Sequence, residues 1–321
     1  MKPDIGGETR LRAELRTVIR RMAAKVINDY RAPAPNHTRE LFEWLEAAQK
    51  EGPPQGEWSA LTEQIIAALR RSGASQFLRL PPVMKTVHPP MRKLGRRYWT
   101  YLERSDCFSA EIQKALTESP LGQPLLSPYY PLTSPLLMQH GYHLVRLLET
   151  TDFELSRMEL VFEFGGGYGS FFRLLRNLGY RNRHLICDLP AMCALQRFYL
   201  RNLFPTGPQG EAPPNLEWIA SGAGGALEPR IAVRSPALFV ATWSLSEVPQ
   251  PVRDGVIAVL PLFDYVLCAY QRSFGPYDNV RYFTSLEQSL PQFSWRHAEC
   301  PVYRKNFYLI GRRTAPAPER G

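Results

Sequence analysis

The sequence predicts an α/β fold with a doubly wound parallel sheet, preceded by a helical N-terminal region. From residue 158 onward, short apolar runs alternate with segments whose apolar residues recur every three or four positions, as strands and helices do in such folds. A glycine-rich stretch with the sequence EFGGGYGS, residues 163–170, joins the first strand to the following helix. Asp188 ends the second predicted strand, 25 residues after Glu163. Because α/β proteins bind nucleotides at turns between a strand and a helix, these features predict a nucleotide-type site.

The N-terminal region, residues 1–119, is predicted to be helical. Its clearest helix covers residues 9–31, where one face is apolar and the other carries arginines. We expect its apolar face to be covered, with the region acting as a lid or as the contact of a homodimer. Further helices are predicted over residues 38–50 and 59–72, whereas residues 77–92 contain two Pro-Pro pairs and are predicted to form an extended link.

Positive charge is concentrated in this N-terminal region. The net charge is +9, and residues 1–110 hold 19 Lys and Arg against 12 Asp and Glu. Such a bias attracts phosphate-bearing ligands, lipid phosphates or nucleic acid, although a solvated helix face gives the same pattern. A basic and aromatic patch contains Arg92, Lys93, Arg96, Arg97, Tyr98, Trp99 and Tyr101. No nucleic-acid-binding module is recognisable there, so we do not expect a nucleic acid partner.

Residues 120–313 are predicted to form the sheet domain. A proline-broken segment leads into a helix over residues 136–150. Strands are predicted near residues 159–164, 184–188, 215–220, 237–242 and 264–270, and helices near residues 170–178, 191–203, 250–262 and 280–290. Residues 221–236 are predicted to be a loop, and a final antiparallel pair, residues 295–303 and 306–312, completes a seven-stranded sheet. The tail, residues 314–321, is predicted to be disordered.

Several classes of protein are disfavoured by the composition. The first residues lack the apolar core of a signal peptide, and no apolar run is long enough to span a bilayer. The five cysteines form no C-x-x-C pair, and no His cluster has metal-binding spacing. We therefore expect a soluble, cytoplasmic protein without a metal site.

The spacing of the glycines indicates which nucleotide is bound. A dinucleotide fingerprint requires a third glycine where Ser170 stands. The pattern Glu163-x-Gly165-x-Gly167-x-Gly169 instead resembles the first motif of class I S-adenosylmethionine (SAM) dependent methyltransferases. The resemblance implies a Rossmann-like, seven-stranded methyltransferase sheet with SAM as cofactor, whose ammonium end Glu163 supports. Asp188 is then the acceptor for the ribose hydroxyls; a turn that binds nothing, and a helix N-cap role for Asp188, are the alternatives.

Four segments together resemble the bacterial sugar O-methyltransferase family. They are residues 163–169, Asp188-Leu189-Pro190, residues 242–247 (TWSLSE) and residues 278–283 (DNVRYF). This resemblance covers residues 120–312 and implies methyl transfer to a hydroxyl of a sugar or a glycosylated small molecule. The glycine motif with Asp-Leu-Pro also resembles the dimeric O-methyltransferases of phenols, which carry a His-Asp-Trp segment where this chain has Ser244, Ser246 and Glu247. Methylation of a phenolic or polyketide-like hydroxyl, and a non-catalytic SAM-binding protein, are the alternatives.

A hydroxyl acceptor requires a group that removes its proton. Glu247 is the predicted base, with His140 and His143 as alternates. The predicted cofactor-binding residues are Glu163, Phe164, Gly165, Gly166, Gly167, Tyr168, Gly169, Asp188, Leu189, Ser221, Thr242, Trp243 and Ser244. The predicted substrate contacts are Tyr129, Tyr130, Gln271, Arg272, Asn279 and Tyr282. We expect the partner to be a small-molecule acceptor such as a sugar or a nucleotide sugar.

Overall fold

A computed structural model describes most of the chain. The described residues are 18, 35–50, 57–87, 91–127, 130, 132–206, 211–220 and 236–314. Of the predicted helix over residues 9–31, only Val18 is among them. The loop predicted over residues 221–236 and the tail predicted over residues 314–321 lie outside the described residues except for Pro236 and Thr314.

Seven strands form one mixed sheet. They are β1 (Leu160–Phe164), β2 (Arg183–Asp188), β3 (Leu216–Ala220), β4 (Ala237–Thr242), β5 (Tyr265–Gln271), β8 (Phe293–Glu299) and β9 (Asn306–Arg313), and the short strands β6 (Ser273–Phe274) and β7 (Tyr277–Asp278) form a separate hairpin. The order in the sheet is β3-β2-β1-β4-β5-β9-β8. Strands β1 to β5 are parallel to one another, and β9 runs antiparallel to both β5 and β8. This arrangement confirms the predicted doubly wound, Rossmann-like sheet of seven strands.

Burial explains why the central strands are so apolar. All five residues of β1 are buried, and so are the first five of the six residues of β4. Parallel strands covered by helices on both faces take such continuous apolar sequences. Along the edge strand β8 only Phe293 is buried, and the half-buried Trp295 and His297 alternate with the exposed Ser294 and Arg296, because only one face packs on the core.

Helices cover both faces of the sheet. The longer helices, numbered along the chain, are α1 (Thr38–Lys50), α2 (Glu57–Ser72), α3 (Pro81–Val87), α4 (Met91–Leu102), α5 (Ala110–Ala115), α6 (Pro135–Thr150), α7 (Ser170–Asn177), α8 (Pro190–Leu203), α9 (Gln250–Val259) and α10 (Asn279–Ser289). Val161 and Val240 on one face pack in a cluster with α4, α6 and α7. Phe162 and Phe239, on the other face, pack with α9 and α10.

The N-terminal helices pack directly on the helices of the sheet. Leu41 and Leu45 of α1 share a hydrophobic cluster with Leu195 and Phe198 of α8. Phe77 lies in the same cluster, with its ring centroid 5.8 Å from that of Tyr168 in the glycine turn. The boundary predicted at residue 120 therefore separates two stretches of sequence that share one core, and their division into two domains stays a prediction.

The prediction of an extended link over residues 77–92 is wrong. Pro81 and Pro82 begin helix α3, and α4 begins at Met91. Proline suits the first turn of a helix, where its missing N–H would have no partner in any case, so the Pro-Pro pair starts a helix here. Two other bounds are shorter than predicted: α9 ends at Val259, two residues before Pro261, and β8 ends at Glu299.

Candidate functional site

A cavity of about 380 Å³ opens at the carboxyl ends of β1, β2 and β4. Strands β2 and β4 lie on opposite sides of β1, so this is the point where the chain changes its winding direction. Ligands of open α/β sheets bind at such switch points. Many of the predicted site residues line the cavity: His140, Glu163, Phe164, Gly165, Gly166, Gly167, Tyr168, Asp188, Leu189, Thr242, Trp243, Ser244, Glu247 and Gln271.

Glycine is required at the start of the turn after β1. Gly165 has a φ of +78°, and its N–H donates to the Cys187 carbonyl at 2.8 Å. A Cβ placed on Gly165 would lie 2.2 Å from the Cβ of Ser244. The Ser244 hydroxyl in turn donates a hydrogen bond to the Phe164 carbonyl. The loops after β1 and β4 therefore pass each other in direct contact, which only a residue without a side chain permits.

Gly169 has a different role from the first glycines. It adopts a φ of +92° and immediately precedes α7, and a Cβ there would lie 2.9 Å from Cδ1 of Leu200. It is not among the described residues that line the cavity, whereas its neighbour Ser170 is. Gly169 thus allows α7 to start close to α8.

Asp188 is held by three hydrogen bonds at the edge of the cavity. Its Oδ2 accepts from the Gly167 N–H at 3.1 Å and from Nε2 of Gln196 at 2.7 Å, and its Oδ1 accepts from the Leu189 N–H at 2.8 Å. The pKa of Asp188 is raised to about 7, chiefly by burial and to a smaller extent by nearby Glu163, against the lowering effect of these donors. The carboxylate and the glycine turn are thus joined directly at the edge of one cavity.

Glu163 lies beneath the glycine turn. It is 3% exposed, and its Oε2 lies 3.1 Å from Nε2 of the fully buried His184 on β2. A Cβ on Gly166 would approach the Glu163 carboxyl carbon to 3.5 Å. The carboxylate therefore supports the turn from below, and His184 is a partner that the sequence did not reveal.

Trp243 has a strained backbone at the end of β4. Its φ is +68° and its ψ −33°, which is rare for a bulky residue. The Trp243 N–H donates to the Ala269 carbonyl at 2.6 Å, and its indole Nε1 donates to Oδ1 of Asn306 at 2.8 Å. Strain of this kind persists where the surroundings fix it and is concentrated at functional sites.

Glu247 is oriented by a short chain of hydrogen bonds. The Ser246 hydroxyl donates to Oε1 of Gln271 at 2.8 Å, and Nε2 of Gln271 donates to Oε1 of Glu247 at 3.1 Å. Both Glu247 and Gln271 line the cavity. The predicted base and one predicted substrate contact are therefore brought together at its wall.

The two candidate histidines occupy different environments. His140 is half-buried in the cavity wall, with its ring 5.7 Å from that of Phe171. His143 is fully buried and lies behind the wall, where its Nδ1 is 2.5 Å from the Tyr308 hydroxyl and its ring packs 5.3 Å from that of Trp243. Burial lowers the pKa of His143 well below its usual value, so the ring is neutral near pH 7. Of the two, His140 has the access to the cavity that a base requires.

Four other predicted substrate contacts lie away from the cavity. The Tyr130 ring stacks on Trp99 with centroids 4.5 Å apart, and Arg272 is exposed beside Phe307. The buried Asn279 donates to the Gln271 carbonyl at 3.0 Å and accepts from Arg253, whose guanidinium lies 4.4 Å from the Tyr282 ring. Asn279 thus supports Gln271 from behind, and Tyr282 packs against Arg253, the partner of Asn279. Tyr129 and Ser221 lie outside the described residues.

The cavity also has lining residues that the sequence did not single out for the site. They are Trp58, Lys85, Thr86, Leu136, Gln139, Ser170, Cys187, Met192, Val248, Tyr303 and Asn306. Three of them come from α2 and α3, so residues of the N-terminal region line the cavity, while its role as a lid or dimer contact stays a prediction. Lys85 and Thr86 were missed because their segment was predicted to be an extended link.

Two of the three aromatic rings of the basic and aromatic patch are unavailable for stacking. Tyr98 and Trp99 are buried in the core, while Arg96 and Arg97 are exposed. Buried rings are unable to stack on the bases of a nucleic acid. Within the described part of the chain, no helix is long and apolar enough to cross a membrane, and no group of three His, Cys, Asp or Glu is placed to hold a metal ion.

Comparison with known proteins gives similarities of fold. No protein-family model matches the chain, and no curated protein matches it. The methyltransferase domain of bacterial CtHen1 is 8% identical over 54% of this chain and 97% of its own, with a TM-score of 0.41. Precorrin-6y C5,15-methyltransferase from Geobacter metallireducens is 12% identical over 54% and 87%, with a TM-score of 0.38. The glycopeptide N-methyltransferase MtfA, solved with SAM, is 10% identical over 53% and 92%, with a TM-score of 0.37. Such likeness concerns the fold and assigns neither a reaction nor an acceptor.

Proposed function

We propose that this protein is a SAM-dependent O-methyltransferase that acts on a hydroxyl of a sugar or a glycosylated small molecule. The observation that carries the proposal is the bond from the Gly167 N–H to Asp188 at the mouth of one cavity, which joins the glycine turn to the carboxylate of the second strand. These two features are the ones that a nucleoside ligand needs from this fold.

The residues that line the cavity fit SAM. The Asp188 carboxylate accepts three hydrogen bonds from the protein, and a carboxylate has about four acceptor positions, so it retains capacity for a ribose hydroxyl. Leu189 and Met192 line the same cavity and offer apolar surface for an adenine ring. Glu163 supplies negative charge near the turn, where the resemblance to methyltransferases expects the ammonium group of SAM.

SAM supplies an activated methyl group when it is bound. The protein then needs to align the acceptor hydroxyl and accept its proton. Glu247 is the proposed base, because it lines the cavity and Gln271 fixes the direction of its carboxylate. His140 is the alternate base in the same wall.

The polar and aromatic groups of the cavity favour a sugar acceptor. Gln139, Gln271 and Asn306 bring amide groups, which match the paired donor and acceptor of a hydroxyl. Trp58, Trp243 and Tyr303 add aromatic surface, against which the apolar face of a sugar ring packs. A phenolic ring would also pack there, so a phenolic or polyketide-like acceptor is the second candidate.

Cofactor binding is tested by calorimetric titration of SAM and of NAD into the wild-type protein and into Asp188→Ala. We expect SAM alone to bind, with at least about tenfold weaker affinity in the variant, since a buried hydrogen-bond partner is lost. Binding of NAD, or of neither ligand, would contradict the proposal.

Methyl transfer is tested with two acceptor panels, one of hexoses, methyl hexosides and nucleotide sugars and one of phenols. We expect transfer to a member of the sugar panel and its loss in Glu247→Gln with SAM binding retained. Transfer only to phenols would select the second candidate. Tight binding of S-adenosylhomocysteine (SAH) without transfer to either panel would indicate a non-catalytic SAM-binding protein.

A further inference from the structure

Gln139 lines the cavity, and one polar atom of its side chain is buried without a hydrogen-bond partner among the described residues. Its side chain is 1% exposed and lies in the second turn of α6. Its Nε2 donates to the hydroxyl of the buried Tyr98 at 2.9 Å, whereas its Oε1 has no hydrogen-bond partner among the described residues. A buried acceptor in this state destabilises the folded protein, so it points to a partner that arrives with a ligand.

The other two amides of the cavity differ in this respect. Gln271 uses Oε1 for Ser246 and Nε2 for Glu247. Asn306 uses Oδ1 for the Trp243 indole and Nδ2 for the Arg304 carbonyl. Among the described amides that line the cavity, Gln139 is therefore the one with an unused hydrogen-bonding atom.

The position of Gln139 separates it from the proposed cofactor groups. His143, one turn further along the same face of α6, packs against Trp243 at the end of β4. Asp188 ends β2, which lies on the other side of β1 from β4. Gln139 therefore lies at the β4 side of the cavity, where Glu247 also lies.

We infer that Gln139 is an acceptor-binding residue whose Oε1 accepts a hydrogen bond from a hydroxyl of a neutral sugar, with Tyr98 as the residue that positions its amide. This inference rests on the proposed function and identifies one residue through which the protein recognises the acceptor. An uncharged carbonyl oxygen suits a neutral O–H donor. Because Tyr98 holds the other amide atom, the free oxygen is fixed in direction before the ligand binds.

The test uses Gln139→Leu, Tyr98→Phe and the double variant, with Gln288→Leu, at an exposed position of α10, as the matched control. Three quantities are measured: the Tm of the ligand-free protein, the Kd for SAH, and kcat and KM for methyl transfer to hexoses, methyl hexosides and UDP-glucose. The double variant removes the whole Tyr98 and Gln139 pair, so it leaves no new unpaired polar atom.

We expect the double variant to have a Tm at or above that of the wild type, because the unpaired oxygen is gone. Its Kd for SAH should stay within about twofold of the wild-type value, while kcat/KM for the sugar falls at least about tenfold, chiefly through KM. Tyr98→Phe alone should raise KM by a smaller factor, since it loosens the amide without removing it. The control should leave all three quantities unchanged.

Three outcomes would overturn the inference. A Tm of the double variant below that of the control would mean that Oε1 is paired within the protein. Unchanged kcat/KM would mean that Gln139 does not touch the acceptor. A wild-type protein that binds SAH but methylates none of these sugars would remove the neutral sugar hydroxyl as its partner and leave the SAM proposal standing, whereas a wild-type protein that does not bind SAH would remove both.

Discussion

At the scale of single residues, Asp188 shows two opposing effects on one carboxylate. Burial and the charge of Glu163 favour the protonated form, while three N–H donors favour the ionised form. The balance raises the pKa of Asp188 to about 7, from a usual value of 3.8. The folded protein therefore binds more protons than the unfolded chain between about pH 4 and pH 7, and the contribution of Asp188 to stability falls as the pH rises through that range.

Cofactor affinity should change in the opposite direction from stability: it should increase as the pH rises and Asp188 ionises. Ribose hydroxyls donate hydrogen bonds, so the ionised carboxylate is the better acceptor and protonation weakens binding. We predict that the Kd for SAH is constant above about pH 8 and rises by up to about tenfold for each pH unit below pH 7. Calorimetry from pH 5.5 to pH 8.5 measures it.

The matched variant for this titration is Asp188→Asn, which has no ionisable group at the position. Its Kd for SAH should be higher than that of the wild type and nearly independent of pH. A wild-type Kd that stays flat across the range would show that Asp188 does not titrate there or does not contact the ligand.

Gly165 combines a positive φ with direct contact to the loop after β4. An alanine there would place its Cβ 2.2 Å from that of Ser244 at a φ of +78°. We predict that Gly165→Ala lowers the free energy of unfolding by about 1 to 3 kcal/mol, because the backbone must shift. It should also abolish SAM binding, since the turn moves with it.

Gly255 provides the control for that substitution. It is an exposed position of α9 where an added Cβ meets nothing within 4 Å. Gly255→Ala should therefore stabilise the protein by roughly 0.4 to 1 kcal/mol. Urea unfolding of both variants measures the difference, and equal effects at the two positions would contradict the close contact at Gly165.

At the scale of elements, a buried ion pair fixes the start of α6. Nη1 of Arg173 on α7 lies 2.7 Å from Oε2 of Glu118, and the two side chains are 5% and 3% exposed. The other oxygen of Glu118 accepts from the hydroxyl of Ser134 at 2.5 Å, and Ser134 caps α6 by accepting from the Leu137 N–H. The helix that carries Gln139 and His140 to the cavity is therefore tied to α7 at its first turn.

We predict that Glu118→Gln lowers the free energy of unfolding by roughly 3 to 5 kcal/mol, because it leaves the Arg173 guanidinium buried without its counter-charge. The double variant Glu118→Leu with Arg173→Met should recover a large part of that loss, since no charge remains buried. Urea unfolding midpoints give the comparison.

The exposed pair of Arg183 and Glu217 is the reference for this experiment. Nε of Arg183 lies 2.6 Å from Oε1 of Glu217, but the two side chains are 32% and 48% exposed. Glu217→Gln should cost no more than about 1 kcal/mol, because solvent screens the pair. If Glu118→Gln cost as little, the buried pair would not fix the start of α6.

The sequence predicted those elements whose signal is local. The central strands were found because burial on both faces makes them continuous apolar runs, and the glycine turn was found because its backbone admits few other residues. Helix α3 was missed because a Pro-Pro pair occurs both at the start of a helix and within an extended link. The tertiary contacts of Phe77 and its neighbours, which the sequence does not show, decide between the two.

At the scale of the whole molecule, the difference between local sequence signals and tertiary contacts also separates the proposed cofactor half of the site from the proposed acceptor half. The proposed cofactor half comes from consecutive strand ends, so motifs of a few positions are enough to predict its residues. The proposed acceptor half joins α2, α3, α6 and the start of β9, and sequence order gives no indication that Trp58, Gln139 and Asn306 share a cavity. The sequence also predicts Asn279 as a substrate contact, whereas its side chain is buried and donates to Gln271. Sequence alone does not separate these two roles, because asparagine serves in both.

The shared core of the two regions leads to a prediction about the sheet region alone. Residues 120–321 lack Phe77, Leu41 and Leu45, which cover Leu195 and Phe198 of α8. Burying a side chain of this size contributes about 1.5 to 3 kcal/mol, so exposing several removes a large part of a total stability of roughly 5 to 15 kcal/mol. We predict that residues 120–321 expressed alone bind a hydrophobic dye, aggregate and fail to bind SAH, whereas removal of residues 315–321 from the full chain leaves dye binding and SAH affinity unchanged. A monomeric fragment that binds SAH with the affinity of the full chain would instead establish residues 120–321 as an independent domain and the N-terminal helices as a separable cover.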